Sequence, residues 1–349
     1  MEHQITSPGD LLDSSGRLRE PGWARSLLLR YDRKAVKAPA FRIKEWDYYC
    51  VLAGDTALAL TIADNGYMGF LSATFLDFSA GKEISDSVMT ALPMGRMNLP
   101  SSSVSGVSRA EAGGCSFRFE AADGVRRIRA RWPGFAASAK GEAGLEADLV
   151  LREKPPRESM VIATPWAGKP HAFYYNQKIN CMDVEGRASV GSRELAFAPG
   201  QAFAVLDWGR GVWTYSNTWL WGSASGMARW ADGTPVSFGF NIGYGFGDTG
   251  AASENMAFIE GKAHKIGRLA IELDDRDFLK PWRARSEDGR FDLVLTPLHD
   301  RFSDGNLLVI RSLQHQVFGR WSGAMTLEDG RKVVVEGLLG FCEKVLNKW

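Results

Sequence analysis

The chain has 349 residues, 45% hydrophobic and 24% charged, which is ample material for two ordinary cores. Its formal net charge of +1 excludes the electrostatic footprint of a nucleic-acid or anionic-membrane binder. No run approaches 18 apolar residues, so no transmembrane segment is predicted. The first twelve residues, with Glu2 and Asp10, do not read as a secretory leader. The four cysteines, Cys50, Cys115, Cys181 and Cys342, form no C-x-x-C pair, and this excludes zinc-site spacing. Four scattered thiols in a chain this long predict a reducing, cytoplasmic setting.

Residues 1–20 are polar and rich in Gly, Pro and Ser, and read as an N-terminal arm. Gly22 to Tyr31 is the first of two short helical candidates. Strand signals then dominate: apolar–polar alternation broken by turn residues. Ala57 to Ile62 runs into Asp64-Asn65-Gly66. Ser116 to Ala121 runs into Asp123-Gly124, with Val125 to Trp132 as the return strand. In that strand Arg127, Arg129 and Arg131, with neighbouring Arg126, read as a solvated face. Further strands are expected at Ala147 to Leu151, Ser237 to Tyr244, Phe291 to Leu295, Leu307 to Ile310 and Lys332 to Leu338. Asp-Gly pairs at 232–233, 288–289 and 329–330 are hairpin signals. Leu338 to Leu346 is the second helical candidate.

An internal duplication is suggested by three matches at nearly one offset. Trp46 pairs with Trp219, Phe117 with Phe291, and Met160 with Val334. The predicted fold is therefore all-β, as two antiparallel β-barrel halves with few short helices, residues 21–178 and 179–349.

The chemistry-bearing residues concentrate between His171 and Glu254. Six of the twelve tryptophans lie within 65 residues: Trp166, Trp208, Trp213, Trp219, Trp221 and Trp230. They read either as barrel core or as the lining of a ligand cavity. Asp207 closes the apolar run Ala202 to Leu206 and precedes Trp208. A carboxylate beside an indole is raised by desolvation or lowered by a partner such as Arg210, and either suits acid–base work. A turn cap or a plain Asp207–Arg210 pair is the structural alternative. Glu254 is a candidate second carboxylate. Trp219 and Trp221 share a strand face that Ser223 and Ser225 continue. Phe238, Phe240, Ile242 and Tyr244 form an apolar row with Asn241 on the opposite face. Gly243-Tyr244-Gly245-Phe246-Gly247-Asp248 has G-x-G-x-G spacing and no βαβ context, so it predicts a strand end or bulge and no nucleotide. The five histidines show no metal spacing, and only His171 lies near the dense segment. No G-x-S-x-G elbow is present, which disfavours a hydrolase triad. No cofactor is predicted.

The runs Tyr174 to Met182, Leu206 to Trp213, Trp221 to Gly226 and Gly243 to Asp248 resemble the bacterial domain of unknown function 2804 family, over most of the chain from about residue 20. More remotely, the order of apolar strand, Asp-Trp-Gly, aromatic strand and Asp-Gly hairpin is similar to the tandem lipocalin-like group. That group includes carotenoid hydratases, AttH-like proteins and some fungal cyclases. The resemblance implies two calycin barrels and a lipophilic ligand. Here Asp207 runs straight into Trp208-Gly209, without the residue that intervenes in that group.

Together these readings predict a protein acting on a hydrophobic small molecule by acid–base chemistry of hydratase, isomerase or cyclase type. Asp207 and Glu254 would be catalytic. Tyr175, Asn176, Lys178, Trp208, Arg210, Trp213, Trp221, Asn241 and Asp248 would bind the ligand. The alternatives are a non-catalytic lipid carrier and a carbohydrate-active enzyme using the carboxylate pair.

Overall fold

The structure, a computed structural model, describes residues 2–137, 143–307 and 310–348. Three short strands come first: β1 (Gly9–Asp10), β2 (Gly22–Ala24) and β3 (Leu29–Arg30). A meander follows: β4 (Ile43–Ala53), β5 (Thr56–Asp64), β6 (Met68–Asp77) and β7 (Lys82–Ala91). Next are β8 (Gly106–Ala112), β9 (Cys115–Ala122), β10 (Val125–Trp132), β11 (Leu145–Arg152), β12 (Met160–Trp166), β13 (Lys169–Val190), β14 (Arg193–Phe197) and β15 (Ala202–Val212). The last group is β16 (Ser216–Trp230), β17 (Pro235–Tyr244), β18 (Met256–Ile259), β19 (Lys262–Lys265), β20 (Leu269–Glu272), β21 (Trp282–Ser286), β22 (Phe291–Leu307), β23 (Ile310–Thr326) and β24 (Lys332–Lys348).

Two curled antiparallel sheets result. The first orders its strands β7-β6-β5-β4-β15-β13-β11-β10-β9-β8 and closes nearly into a barrel. The second orders β19-β18-β17-β16-β24-β23-β22-β21-β20 and forms a half-barrel. In each, a four-strand meander is followed by the remaining strands, and the final strand pairs back onto the first: β15 on β4, β24 on β16. This shared order is the tandem repeat. Trp46 and Trp219 fall on the equivalent strands β4 and β16. The other two matches do not, because Phe117 lies on β9 against Phe291 on β22, and Met160 lies on β12, which has no counterpart. The extra strands β12 and β14 break any constant offset. The chain passes between sheets at residues 213–215, so the 178/179 division falls inside β13.

The Asp-Gly signals mark real turns. Asp123 and Gly124, both at positive φ (52° and 74°), join β9 to β10 with the hand that matches strand twist. The pairs at 232–233, 288–289 and 329–330 join β16–β17, β21–β22 and β23–β24. The expected run Leu307 to Ile310 falls at the β22–β23 connection, partly outside the described residues.

Both helical candidates are strands. Gly22 to Tyr31 contributes β2 and β3, and Leu338 to Leu346 lies wholly in β24. A central strand covered on both faces is apolar on both faces, so it lacks the alternation that identifies a strand. In β24, Leu338 and Cys342 enter the second sheet's core, while Phe341 faces the first sheet. The only helices among the described residues are 3-10 turns at Arg33–Ala35 and Ala40–Arg42.

The N-terminal arm is docked. Ile5 and Leu11 are buried in the first core, and Glu2 pairs with Lys265 of the second sheet at 2.8 Å. Arg127, Arg129 and Arg131 do form the expected solvated face. Arg126 alternates inward and pairs with Glu153. All four cysteines are free and buried. No helix among the described residues is long and apolar enough to cross a membrane.

Candidate functional site

Alternation along the central strands decides the site. On β4, Tyr49 and Val51 enter the first core, while Trp46, Tyr48 and Cys50 face the second sheet. On β15, Leu206 and Trp208 point inward, so Asp207 points outward. On β13, Tyr175 enters the core and Tyr174 and Lys178 face out. The outward faces of β4, β5, β6, β13 and β15 meet β16, β22, β23 and β24. Between them lies a cleft of about 520 Å3.

At its buried end the cleft holds one lysine and three carboxylates. Lys178 Nζ is 2.9 Å from Asp207 Oδ2 and lies 3.7 Å above the Trp221 ring. Asn176 donates to Asp207 Oδ1 at 2.7 Å. Trp221 Nε1 donates to Asn241 Oδ1 at 2.6 Å, and Asn241 Nδ2 donates to Glu254 Oε2 at 3.2 Å. Burial raises Glu254 above the usual carboxylate range, against the pull of Lys178. Glu343, opposite Trp221 in the β16–β24 register, lines the same cleft. It accepts from Trp219 Nε1 at 3.0 Å and from the side-chain amides of Gln314 at 2.9 Å and Gln316 at 3.1 Å. Burial pushes it up to about 7 even so.

An aromatic cluster flanks these groups. Phe246 makes edge contacts to Trp166, Tyr174, Trp213 and Trp219, with centroids 4.7 to 5.1 Å apart. Each such pair contributes roughly 0.5–1.5 kcal/mol beyond its buried area. The glycine motif makes this insertion feasible. Gly245 and Gly247 both sit at positive φ, and a Cβ at 245 would stand 2.6 Å from the Thr218 carbonyl oxygen. The G-x-G-x-G segment therefore carries an aromatic wedge.

The bulge in β13 joins the sheets. Its register shifts between Ile179 and Met182, with Cys181 at φ 59°. Asn180 Nδ2 thereby reaches Ser223 Oγ at 2.8 Å and the Phe240 carbonyl at 2.9 Å. The Cys181 amide donates to Ser225 Oγ at 3.0 Å.

The expected site residues thus separate into four places. Asp207, Lys178, Trp213, Trp221 and Glu254 line the cleft. Asn176 and Asn241 stand behind the wall and orient Asp207, Trp221 and Glu254. Tyr175, Trp208 and Arg210 lie on the inner side of the first sheet: Tyr175 donates to the Leu29 carbonyl, and Arg210 stacks on Trp208 and pairs with Asp47. Asp248 is exposed and accepts from the Gly250 amide in its own loop, while His171 is exposed on β13. Glu343, Trp46, Tyr174 and Gln314 were not expected. Glu343 sits in the run taken for a helix, and Trp46 lies 161 residues before Asp207, since 207 − 46 = 161.

Trp46 lies flat across Gly209, its cross-strand partner on β15, and a Cβ at 209 would overlap the indole. Gly209→Ala should destabilise the protein by about 1–3 kcal/mol through overpacking and displace Trp46 from Trp213. Thermal melts and the near-ultraviolet circular dichroism of the indoles read both effects. An unchanged melt with an unchanged aromatic signal would refute the close approach.

The model of the family described as Domain of unknown function (DUF2804) matches residues 2–349. The chain belongs to this family. No curated protein matches it. Among solved structures, a protein described as a putative AttH from Nitrosomonas europaea is similar at 12% identity, covering 92% of this chain and 96% of that one, with a TM-score of 0.47. Kievitone hydratase from Nectria haematococca is similar at 12% identity, covering 88% of each chain, with a TM-score of 0.44. What this DUF2804 chain can do follows from its own cleft. Its buried acids can hold or release a proton, its indole faces can stabilise positive charge, and among the described residues no His/Cys/Asp/Glu grouping is arranged to hold a metal.

Proposed function

We propose that the protein binds a hydrophobic, unsaturated small molecule in the cleft between its sheets and transfers a proton to it from Glu343. One observation carries this reading: a carboxyl group in an aromatic-lined cleft, raised by burial to about 7. Such a group is present in both protonation states at neutral pH, which is the optimum for an acid–base catalyst. Protonation of an alkene carbon by Glu343 forms a C–H bond and leaves a cation beside it. The indole of Trp219 and the carboxylate of Asp207 stabilise that cation. Water, or a nucleophile within the substrate, closes the reaction, and the proton it releases passes to Asp207 or Glu254. Hydration, isomerisation and cyclisation share this first step.

Deuterium uptake tests the reading. Aromatic alkenes and short polyenes are incubated with the protein in D2O, binding is followed by tryptophan fluorescence, and mass is read after extraction. Incorporation of deuterium into a bound alkene is the expected result. Saturable binding with no incorporation by any bound alkene would identify a carrier and overturn the catalytic reading.

A further inference from the structure

The walls of the cleft combine two chemistries. The buried end is indole and phenyl, around Lys178 and the carboxylates. Elsewhere on its walls β6 and β7 present Ser72, Thr74 and Ser87 beside Met68, Phe70 and Met89, and β22, β23 and β24 present Ser303, Ser312 and Asn347. A solvated strand face would account for Ser87 and Ser303. It does not account for Asn347, which is 3% exposed and lines the cleft with a buried side-chain oxygen that accepts no hydrogen bond among the described residues. Thr74 is equally buried, and its hydroxyl is met by that of Ser85 at 3.0 Å. A buried amide oxygen left unpaired is costly, so such groups are normally met by a ligand or an ordered water. Arg301, which also lines the cleft, donates to Gln316 at 3.1 Å and is 3.8 Å from Glu83.

We propose that the ligand is amphipathic: a planar aromatic or conjugated segment lies among the tryptophans within reach of Glu343, and an oxygenated segment bearing hydroxyl or carbonyl groups is held by the hydroxyl-lined walls and the Asn347 amide. A hydrocarbon of the same length would cover these polar groups without satisfying them, and sites of this kind reject such analogues strongly. The proposal deepens the reading of the cleft as the ligand site and rests on it.

Two matched probes test it: a stilbene carrying a side chain that ends in a diol, and the same stilbene with an alkyl chain of equal length. Affinities are measured by tryptophan fluorescence for the wild type, for Asn347→Leu, for the double variant Ser72→Ala/Ser312→Ala, and for Trp221→Ala. The wild type should favour the diol probe by about tenfold or more, the worth of one to two hydrogen bonds. That preference should collapse in Asn347→Leu and in the double variant, while affinity for the alkyl probe is kept. The serine variants remove only two hydroxyls, so they preserve the test if Asn347→Leu fails to fold. Equal wild-type affinity for both probes, or a preference that survives the variants, overturns the amphipathic proposal and leaves the cleft reading intact. Absence of binding by either probe, or binding indifferent to Trp221→Ala, overturns the cleft itself and the proposal with it.

Discussion

Glu343→Gln should lower turnover of a bound alkene by about 100- to 10,000-fold, the usual contribution of a positioned general acid, while changing its affinity little. Glutamine keeps the side chain's shape and can still accept from Trp219, but it has no proton to give. The effect should appear in kcat and not as a rise in KM. Wild-type activity should fall as pH rises through about 7, where Glu343 loses its proton. The variant's residual activity should lack that step. Stability gives an independent reading. The folded protein holds the Glu343 proton up to about 7, whereas an unperturbed glutamate loses it near 4.5. Between those values the native state binds more protons than the unfolded chain, so stability is full below about 4.5 and declines as pH rises toward 7. Glu343→Gln should flatten that part of the stability profile. A variant that turns over normally, or whose stability keeps the same slope, would remove Glu343 from the mechanism.

Arg210→Met should cost about 3–5 kcal/mol of stability, the usual penalty for removing one partner of a buried ion pair. The guanidinium is fully buried, 3.0 Å from Asp47 Oδ1, and it donates to the carbonyls of Trp46, Gly209 and Pro100. Removing it strands Asp47, which keeps the Ser108 hydroxyl, and releases the segment at Pro100 that is tied into the first sheet. Denaturant titration reads the loss. Near the wild type's melting midpoint the variant should be unfolded, and at lower temperature it should bind cleft ligands with near-normal affinity. A variant of normal stability that no longer binds ligand would show that Arg210 contacts the ligand, contrary to its place on the inner side of the sheet.

The same alternation separates what was legible from what was not. Asp207 and Trp208 look like one unit in sequence, yet neighbouring strand residues point to opposite faces, so one lines the cleft and the other fills the core. The row Phe238, Phe240 and Ile242, with Asn241 opposed, was legible because β17 alternates cleanly between an apolar core and a polar junction. Residues 338–346 were illegible for the converse reason: both faces of β24 are covered, so Glu343 looked like a single polar position in an apolar run. Ile5 and Leu11 were hidden in a polar segment, and only the core that receives them shows it is docked.

By itself the sequence determined the all-β class, the hairpin turns at its Asp-Gly pairs and the family, and it pointed to the stretch from His171 to Glu254 for the chemistry. These are local properties: φ preferences, period-two patterning and composition act within a few residues. Tertiary structure alone decided which face of each strand meets the second sheet, and so placed the cleft between the halves. It brought Trp46 and Glu343, from opposite ends of the chain, to Lys178 and Asp207. That assembly depends on the curl of two sheets and the pairing of β4 with β15 and β16 with β24, contacts between residues more than a hundred apart for which no local pattern carries a signal.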